Sequence, residues 1–140
     1  MRIMGIDYGD SRIGIAVSDP LGWTAQGVET INWKYDLEVP IKRISELIKQ
    51  YQIQKLIIGF PKNMNGTVGP RGEKTLEFID LLKNKIEDME IIKWDERLTT
   101  VAANRTMQEI GVKKSKKKLV VDQIAAVYIL QGYLDSQTQK

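Results

Sequence analysis

Hydrophobic residues are concentrated in short stretches whose patterns predict β-strands. Residues 2–7 and 12–18 are the first two, and Gly9-Asp10 between them is a turn pair of the kind that joins antiparallel strands. A third stretch begins at Val28 and extends the hairpin. The chain is therefore predicted to begin with a three-stranded antiparallel meander.

The pattern then changes to alternating helices and strands. Apolar residues recur at helical spacing over 41–51, after Pro40, which suits a first helical turn. Residues 55–61 form a continuous apolar run, as expected of a strand buried on both faces. The elements predicted after it are a loop over 62–72, a helix with Leu76, Ile79, Leu82 and Ile86 on one face, a strand from Glu90, a helix from Thr99 or Thr100 to Ile110, and a last helix over about 119–134.

Antiparallel strands that lead into helical crossovers predict one α/β domain over residues 1–140. Its sheet is expected to be mixed and five-stranded, with helices on both faces. No repeat or linker divides the sequence.

Composition narrows the chemistry that such a domain can perform. The 140 residues include neither cysteine nor histidine, which excludes thiolate nucleophiles, disulfides, thiolate zinc sites and histidine bases. Carboxylates alone favour hard ions such as Mg²⁺ or Mn²⁺. Because no apolar run approaches the roughly 20 residues of a membrane span and no signal peptide is recognisable, we expect a cytoplasmic protein without a membrane partner.

Asp7 is an unusual residue for the end of an apolar strand. Alternation puts it on the face of Ile3 and Gly5, and burying an ionised carboxylate is costly unless a cation or hydrogen bonds compensate. Alternatively, the side chain could bond to the backbone of Gly9 or Asp10 as an Asx turn. This stretch by itself leaves both interpretations open.

Asp95 and Glu96 end the last predicted strand, and the ends of strands in α/β sheets are where ligand crevices form. The two acids alternate in face, and a bulge would change which of them faces the crevice. Either could also be a solvated acid paired with Arg97.

Asp122 interrupts the apolar stretch of the last predicted helix. It shares a helical face with Ala125, Ala126 and Ile129, which predicts that it points towards the sheet. An acid in a first helical turn also complements the helix dipole, but that explanation does not require an inward position.

The predicted topology brings these acids to one edge of the sheet. Three carboxylates packed together repel one another, and one or two divalent ions would neutralise them, polarise a phosphate and activate water. The acids therefore predict metal-dependent phosphodiester chemistry.

Basic residues are expected near the same edge, although the net charge is only +3. A lysine run precedes the last predicted helix, and it could neutralise phosphates or simply be a solvated loop. The candidates for nucleic-acid binding are Arg12, Asn63, Arg71, Arg97, Lys113, Lys114, Lys116, Lys117 and Lys118.

Four motifs carry a family resemblance. They are GIDYGDSRIGIAVSD at 5–19, IIGFPKNMNGTVGPRG at 57–72, DERLTT at 95–100 and VDQIAAVYILQGYL at 121–134. In this order, and over nearly the whole chain, they closely resemble the YqgF family, also called RuvX. The resemblance implies a ribonuclease H-like fold and a nuclease, described either as a Holliday junction resolvase or as the enzyme that matures the 5′ end of pre-16S ribosomal RNA.

The resemblance also implies a set of catalytic metal ligands. Asp7, Glu96 and Asp122 match the family's acidic positions, with Asp95 as the reserve for Glu96. They would hold Mg²⁺ or Mn²⁺ for hydrolysis of the two-metal type, with Asp7 bridging the ions.

Junction resolvases of the superfamily usually carry two acids in the last helix. This chain has Ala125 and Ala126 on the face of Asp122. The departure favours RNA cleavage in ribosome biogenesis over junction resolution in DNA recombination or repair.

Two other functions stay open from the sequence. Residues 6–14 also resemble the phosphate-binding hairpin of actin-like and sugar-kinase ATPases, which close two such domains over a nucleotide. A non-catalytic RNA-binding factor of ribosome assembly would use the basic residues and keep the acids for structure. We expect a nucleic-acid partner, with pre-rRNA ahead of branched DNA, and either a monomer or a homodimer.

Overall fold

The computed structural model describes residues 2–95 and 114–138, with side chains described for 2–95 and 123–137. The elements in chain order are β1 (Arg2–Tyr8), β2 (Arg12–Ser18), β3 (Ala25–Asn32), α1 (Glu38–Tyr51), β4 (Ile53–Phe60), α2 (Pro70–Lys85), β5 (Glu90–Asp95) and α3 (Lys114–Thr138). The helix predicted from Thr99 or Thr100 to Ile110 lies outside these residues.

The strands form one mixed sheet of order β3-β2-β1-β4-β5. β2 is antiparallel to both β1 and β3, whereas β1, β4 and β5 are parallel. The predicted mixed five-stranded sheet is therefore confirmed, with the apolar β4 between two parallel neighbours.

Two hydrophobic clusters cover the two faces of the sheet. On one face, α1 and α2 pack over alternate strand residues such as Met4 and Ile6, both fully buried. On the other face, α3 packs over Ile3 and Ile57 through Leu130 and its neighbours. Helices on both faces of the sheet agree with the prediction.

A glycine lets α3 lie directly on β1. A Cβ atom on Gly5 would lie 2.7 Å from the Cβ of Leu130 and 2.9 Å from the carbonyl oxygen of Ala126. Any larger side chain at this position would push the helix off the sheet.

The predicted ends of three elements differ from those observed. β3 begins at Ala25 and not at Val28. α2 begins at Pro70, so the predicted loop over 62–72 is too long, because proline is well suited to a first helical turn. α2 buries Phe78 and leaves Leu76 half-buried, so its apolar face was also predicted incompletely.

α3 begins at Lys114, so the prediction that the lysine run precedes this helix is wrong. Lysine is a good helix former, and neither glycine nor proline interrupts residues 114–119. Position 122 consequently lies well beyond the first turn, where the helix dipole no longer accounts for an acid. None of the helices in the described ranges is long and apolar enough to cross a membrane.

The close approach at Gly5 leads to a prediction about stability. Gly5→Ala is expected to lower the free energy of unfolding by about 1–3 kcal/mol, because the new methyl group would meet backbone and Cβ atoms that cannot move independently. Gly27→Ala is the matched control, because its nearest contact is the flexible Gln123 side chain at 3.1 Å. Urea unfolding measures both variants, and equal losses would contradict this account of Gly5.

β3 is fastened to α1 by a bidentate ion pair. Arg43 donates from Nε to Glu29 Oε2 at 2.8 Å and from Nη2 to Glu29 Oε1 at 2.7 Å. The hydrogen bonds from Arg43 hold the pKa of the Glu29 carboxyl below its ordinary value of 4.5.

This lowered pKa predicts an acid-sensitive contribution to stability. A carboxyl with a lowered folded pKa stabilises the fold above its ordinary pKa, and that contribution is lost as the pH falls through the folded value. At neutral pH, the free energy of unfolding of wild type should exceed that of Glu29→Gln by about 1 kcal/mol or less, since the ion pair is partly exposed. Urea unfolding from pH 7 downwards should show the difference shrinking below pH 4.5, and a constant difference would contradict the assignment.

Candidate active site

The carboxyl ends of β1, β4 and β5 meet at one edge of the sheet, because these three strands are parallel. Asp7 lies one residue before the end of β1, Phe60 ends β4 and Asp95 ends β5. This edge therefore carries Asp7 and Asp95, two of the acids that the sequence singles out at strand ends.

Asp7 lies on the face of the sheet that α3 covers. Its neighbours on that face are Ile3, which belongs to the α3 cluster, and Gly5, which touches α3 directly. Asp7 is half-buried and is paired across the hairpin with the buried Gly14. The predicted face of Asp7 is confirmed, and Gly5 proves to serve the packing of α3.

α3 also brings position 122 close to Asp7. Ala126 lies against Gly5, and position 122 is one helical turn, or about 6 Å, nearer the start of the helix. Along β1, the step from Gly5 to Asp7 covers about 6.7 Å in the same direction. The backbone at position 122 is thus level with Asp7.

A hydrogen bond between α3 and β3 gives independent support for this level. Gln123 Nε2 donates to Thr30 Oγ1 at 3.2 Å. Thr30 is paired with Gly14, and Gly14 is paired with Asp7 on the other side. The residue after position 122 therefore contacts the row of the sheet to which Asp7 belongs.

Asp95 lies on the opposite face of the sheet. Ile91 belongs to the cluster under α1 and α2, whereas Trp94 belongs to the cluster under α3. Asp95 alternates with Trp94 and is paired with Phe60, so it shares the face of Ile91. The structure does not bring Asp95 together with Asp7, and Glu96 lies outside the described residues.

Among the described side chains, no three acids are grouped closely enough to hold a metal ion. Asp7 is among these side chains, whereas Glu96 and the side chain of Asp122 lie outside them. Asp7 offers the hard, anionic oxygen donors that Mg²⁺ and Mn²⁺ prefer. The donor chemistry of the part of the site that is described thus fits such an ion.

Three of the predicted nucleic-acid ligands have described side chains, and they differ in position. Arg12 begins β2 on the face of Asp7, two residues before Gly14. Asn63 has its amide Nδ2 bonded to Thr67 Oγ1 at 3.0 Å, so it holds its own loop together. Arg71 lies exposed in the first turn of α2 and not in a loop.

The remaining predicted ligands are basic residues from β5 onwards. Arg97 and Lys113 lie outside the described residues, and the backbone of Lys114, Lys116, Lys117 and Lys118 lies in the first turns of α3. The helix carries these lysine positions beyond position 122, on the side away from Ala126. Their backbone therefore lies towards the edge that carries Asp7.

Sequence reasoning missed one basic residue at this edge. Lys34 follows the end of β3, is exposed and lines a groove together with Arg12 and Trp33. The available signal was a lysine two residues after the last strand of the meander, beside a tryptophan, but its place in one groove with Arg12 depends on the pairing of β2 with β3.

Comparison with protein families identifies a match to nearly the whole chain. Residues 1–136 match the family model described as "RuvX: Holliday junction resolvase". A protein of Acetivibrio thermocellus is 77% identical over 98% of this chain and 97% of its own length, and one of Clostridium tetani is 56% identical over 100% of both. Both bear the name "Putative pre-16S rRNA nuclease".

Solved structures with the same fold include two resolvases bound to Holliday junction DNA. RuvC of T. thermophilus superposes with a TM-score of 0.60 at 13% identity, covering 100% of this chain and 97% of RuvC. The resolvase of fowlpox virus gives a TM-score of 0.54 at 13% identity, covering 98% of this chain and 99% of the viral protein. At this identity the likeness concerns the fold, and it confirms the expected ribonuclease H-like architecture.

The motif resemblance, the family model and the similarity to relatives along their full length agree with one another. The chain therefore belongs to the RuvX family, also called YqgF.

Proposed function

We propose that this protein is a divalent-metal-dependent nuclease that hydrolyses phosphodiester bonds during maturation of the 5′ end of pre-16S rRNA. The observation that carries the proposal is a half-buried carboxylate, Asp7, at the end of the central strand, level with position 122 of α3. The name borne by the similar proteins of A. thermocellus and C. tetani supplies the substrate. We further propose that residues 1–140 act as one nuclease domain in the cytoplasm, where bacterial ribosomes are assembled.

The proposed metal ligands are Asp7, Glu96 and Asp122, which would hold Mg²⁺ or Mn²⁺. Asp95 lies on the far face of the sheet, so of the two neighbouring acids we propose as the ligand Glu96, which lies outside the described residues. When bound, such an ion polarises the phosphate and lowers the pKa of the attacking water.

The chain's own groups hold the ion and orient the phosphodiester. Arg12 is a diagonal neighbour of Asp7 across the hairpin, at about 7–8 Å between backbone positions, and its guanidinium can bind a phosphate oxygen. In the reaction, a water oxygen bonds to phosphorus and the bond to the leaving oxygen breaks. Without any histidine in the chain, the water proton leaves to a carboxylate or to solvent.

A second candidate function is the resolution of branched DNA. It is favoured by the description of the family model and by the two resolvases that share the fold. Against it, residues 123–134 of α3 include no acid, and Ala125 and Ala126 are buried. RNA is therefore the preferred substrate.

Removing the charge of Asp7 is expected to abolish catalysis. Asp7→Asn should lower the rate of metal-dependent RNA cleavage by at least about a hundredfold, because the site loses a full negative charge. Asp10→Asn is the matched control: Asp10 is exposed in the neighbouring turn and only weakly paired with Lys74 at 3.7 Å. Rates are measured on a pre-16S-like RNA and on a four-way DNA junction, with Mg²⁺, with Mn²⁺ and with a chelator.

These arms separate the candidate functions. Cleavage of the RNA alone supports rRNA maturation, and cleavage of the junction alone assigns the protein to DNA. Equal rates for Asp7→Asn and wild type, or cleavage that survives the chelator, would refute the metal site. RNA binding without any cleavage would leave a non-catalytic assembly factor.

Asp95, which ends β5, and Glu96, the next residue of the sequence, are expected to behave differently when substituted. Glu96→Gln should remove cleavage at ordinary Mg²⁺ concentrations, whereas Asp95→Asn should stay close to wild type because Asp95 lies on the far face. Cleavage rates measured against Mg²⁺ concentration give the comparison, with thermal unfolding as a control for folding. The reverse pattern would make Asp95 the ligand.

A further inference from the structure

Two grooves meet at Trp33, next to the edge that carries Asp7. The indole Nε1 of Trp33 donates to the carbonyl oxygen of Gly9 at 3.0 Å. The backbone N–H of Trp33 donates to the carbonyl oxygen of Ser11, also at 3.0 Å. These bonds fix the tryptophan to the turn between β1 and β2. Trp33 thus forms a fixed wall that both grooves share.

The first groove, here called the acidic groove, has a volume of about 510 Å³ and lies between α1 and α2. Four carboxylates and two lysines line it: Asp10, Asp36, Glu38, Glu77, Lys74 and Lys85. Its floor is Tyr8, whose ring is stacked on Phe78 with 4.5 Å between centroids. The pKa of Tyr8 is raised, mainly by burial and to a smaller extent by the negative charges of Asp10 and Glu77.

The second groove, here called the basic groove, has a volume of about 540 Å³ and lies at the start of β2 and the end of β3. Its charged lining residues are Arg12, Lys34 and Asp36. Asp36 is held at the start of α1, where its Oδ1 accepts the backbone N–H of Glu38 at 2.9 Å. The two cations outnumber this one carboxylate, so the charged lining of the groove is net positive.

The other walls of the basic groove suit a nucleotide. Ser11 and Asn32 are exposed and offer hydroxyl and amide groups for hydrogen bonds to phosphate or sugar oxygens. Trp33 and Val39 provide apolar surface on the opposite side. The volume falls within the usual range for small-ligand sites, which is enough for a nucleotide.

Arg12 connects this groove with Asp7. Arg12 lies on the face of Asp7 and is paired with Asn32 across β2 and β3. From Asp7, a row of three residues therefore follows the edge of the sheet towards β3: Arg12, Asn32 and Lys34. Over Tyr8, on the other face of the sheet, the surface is the acidic groove.

We propose that the basic groove binds the phosphodiester backbone of a single strand that continues from the phosphate held at Asp7. This assignment rests on the proposed nuclease function and specifies the direction in which the bound strand leaves the active site. The strand leaves the active site over β2 and β3, because the carboxylates of the acidic groove outnumber its two lysines and disfavour a polyanion there. Lys34 and Arg12 are its phosphate ligands, and the shared ligand chemistry is that of RNA and DNA single strands alike.

The test compares the same charge removal in the two grooves. Lys34→Gln removes a cation from the basic groove, and Lys85→Gln removes one from the acidic groove. Both lysines are exposed, so neither change should unfold the protein, and thermal unfolding checks this. Dissociation constants are measured with a chelator, over a range of salt concentrations, for single-stranded RNA and single-stranded DNA of one sequence.

Loss of one phosphate contact lowers the slope of log affinity against log salt by about 0.7 for a single strand, which corresponds to about a fivefold loss of affinity at 0.1 M salt. We expect this change for Lys34→Gln and no loss for Lys85→Gln. An equal loss in both variants, or none in Lys34→Gln, would overturn the assignment. A loss with both RNA and DNA supports contact with phosphate alone, and a loss with RNA only supports the groove with additional contact to the 2′-hydroxyl.

Failure of the nuclease function gives a different result. If neither Mg²⁺ nor Mn²⁺ supports cleavage but the salt slopes still differ, the groove binds single strands in a non-catalytic protein. If cleavage proceeds and the slopes are identical, the active site stands and the path of the strand is wrong.

Discussion

The contact between Gly5 and α3 is the constraint on which the arrangement of this edge depends. With no Cβ on the strand, the carbonyl oxygen of Ala126 and the side chain of Leu130 rest on the backbone of β1. That contact sets the height of the helix above the sheet. Hydrogen bonds from Gln123 to Thr30 and between Gln131 and the backbone of Ala25 fix its position along the sheet. The backbone at position 122 of α3 and at Asp7 of β1 is thereby held at a constant relative position by packing that has nothing to do with phosphate chemistry.

How far the sequence could predict this arrangement depends on whether a feature is local. The face of Asp7 follows from alternation along one strand, and the pairing of β1 with β2 follows from the Gly9-Asp10 turn, so both were predictable. The buried face of α2 was predicted only in part, because Phe78 and Leu76 both fit a helical stripe and tertiary packing decided between them. The two grooves at Trp33 could not be foreseen, since each combines residues from separate loops.

The start of α3 shows how one boundary changes a functional interpretation. With a helix that begins at residue 119, Asp122 would lie in the first turn, where favourable interaction with the helix dipole is a sufficient reason for an acid. With the helix beginning at Lys114, that reason no longer applies. The pairing of β5 acts in the same way on Asp95, because its register with Phe60 puts this acid on the face away from Asp7. The observed helix start thus argues against the dipole explanation of Asp122, and the observed register argues against Asp95 as the acid beside Asp7.

A carboxylate site that works on phosphodiesters has an inherent electrostatic conflict, since the ligands that attract a cation also repel the substrate. Ions reduce this repulsion at the reacting phosphate, but the adjoining phosphates have to be met by the protein. The described charges next to Asp7 are unevenly divided. Arg12 and Lys34 outnumber Asp36 in the basic groove, whereas four carboxylates outnumber two lysines in the acidic groove. Trp33 separates the two regions and is itself immobilised by hydrogen bonds to Gly9 and Ser11. A chain of phosphates that passes Trp33 therefore meets an excess of cations in the basic groove and an excess of carboxylates in the acidic groove, an asymmetry that the small net charge of +3 does not reveal.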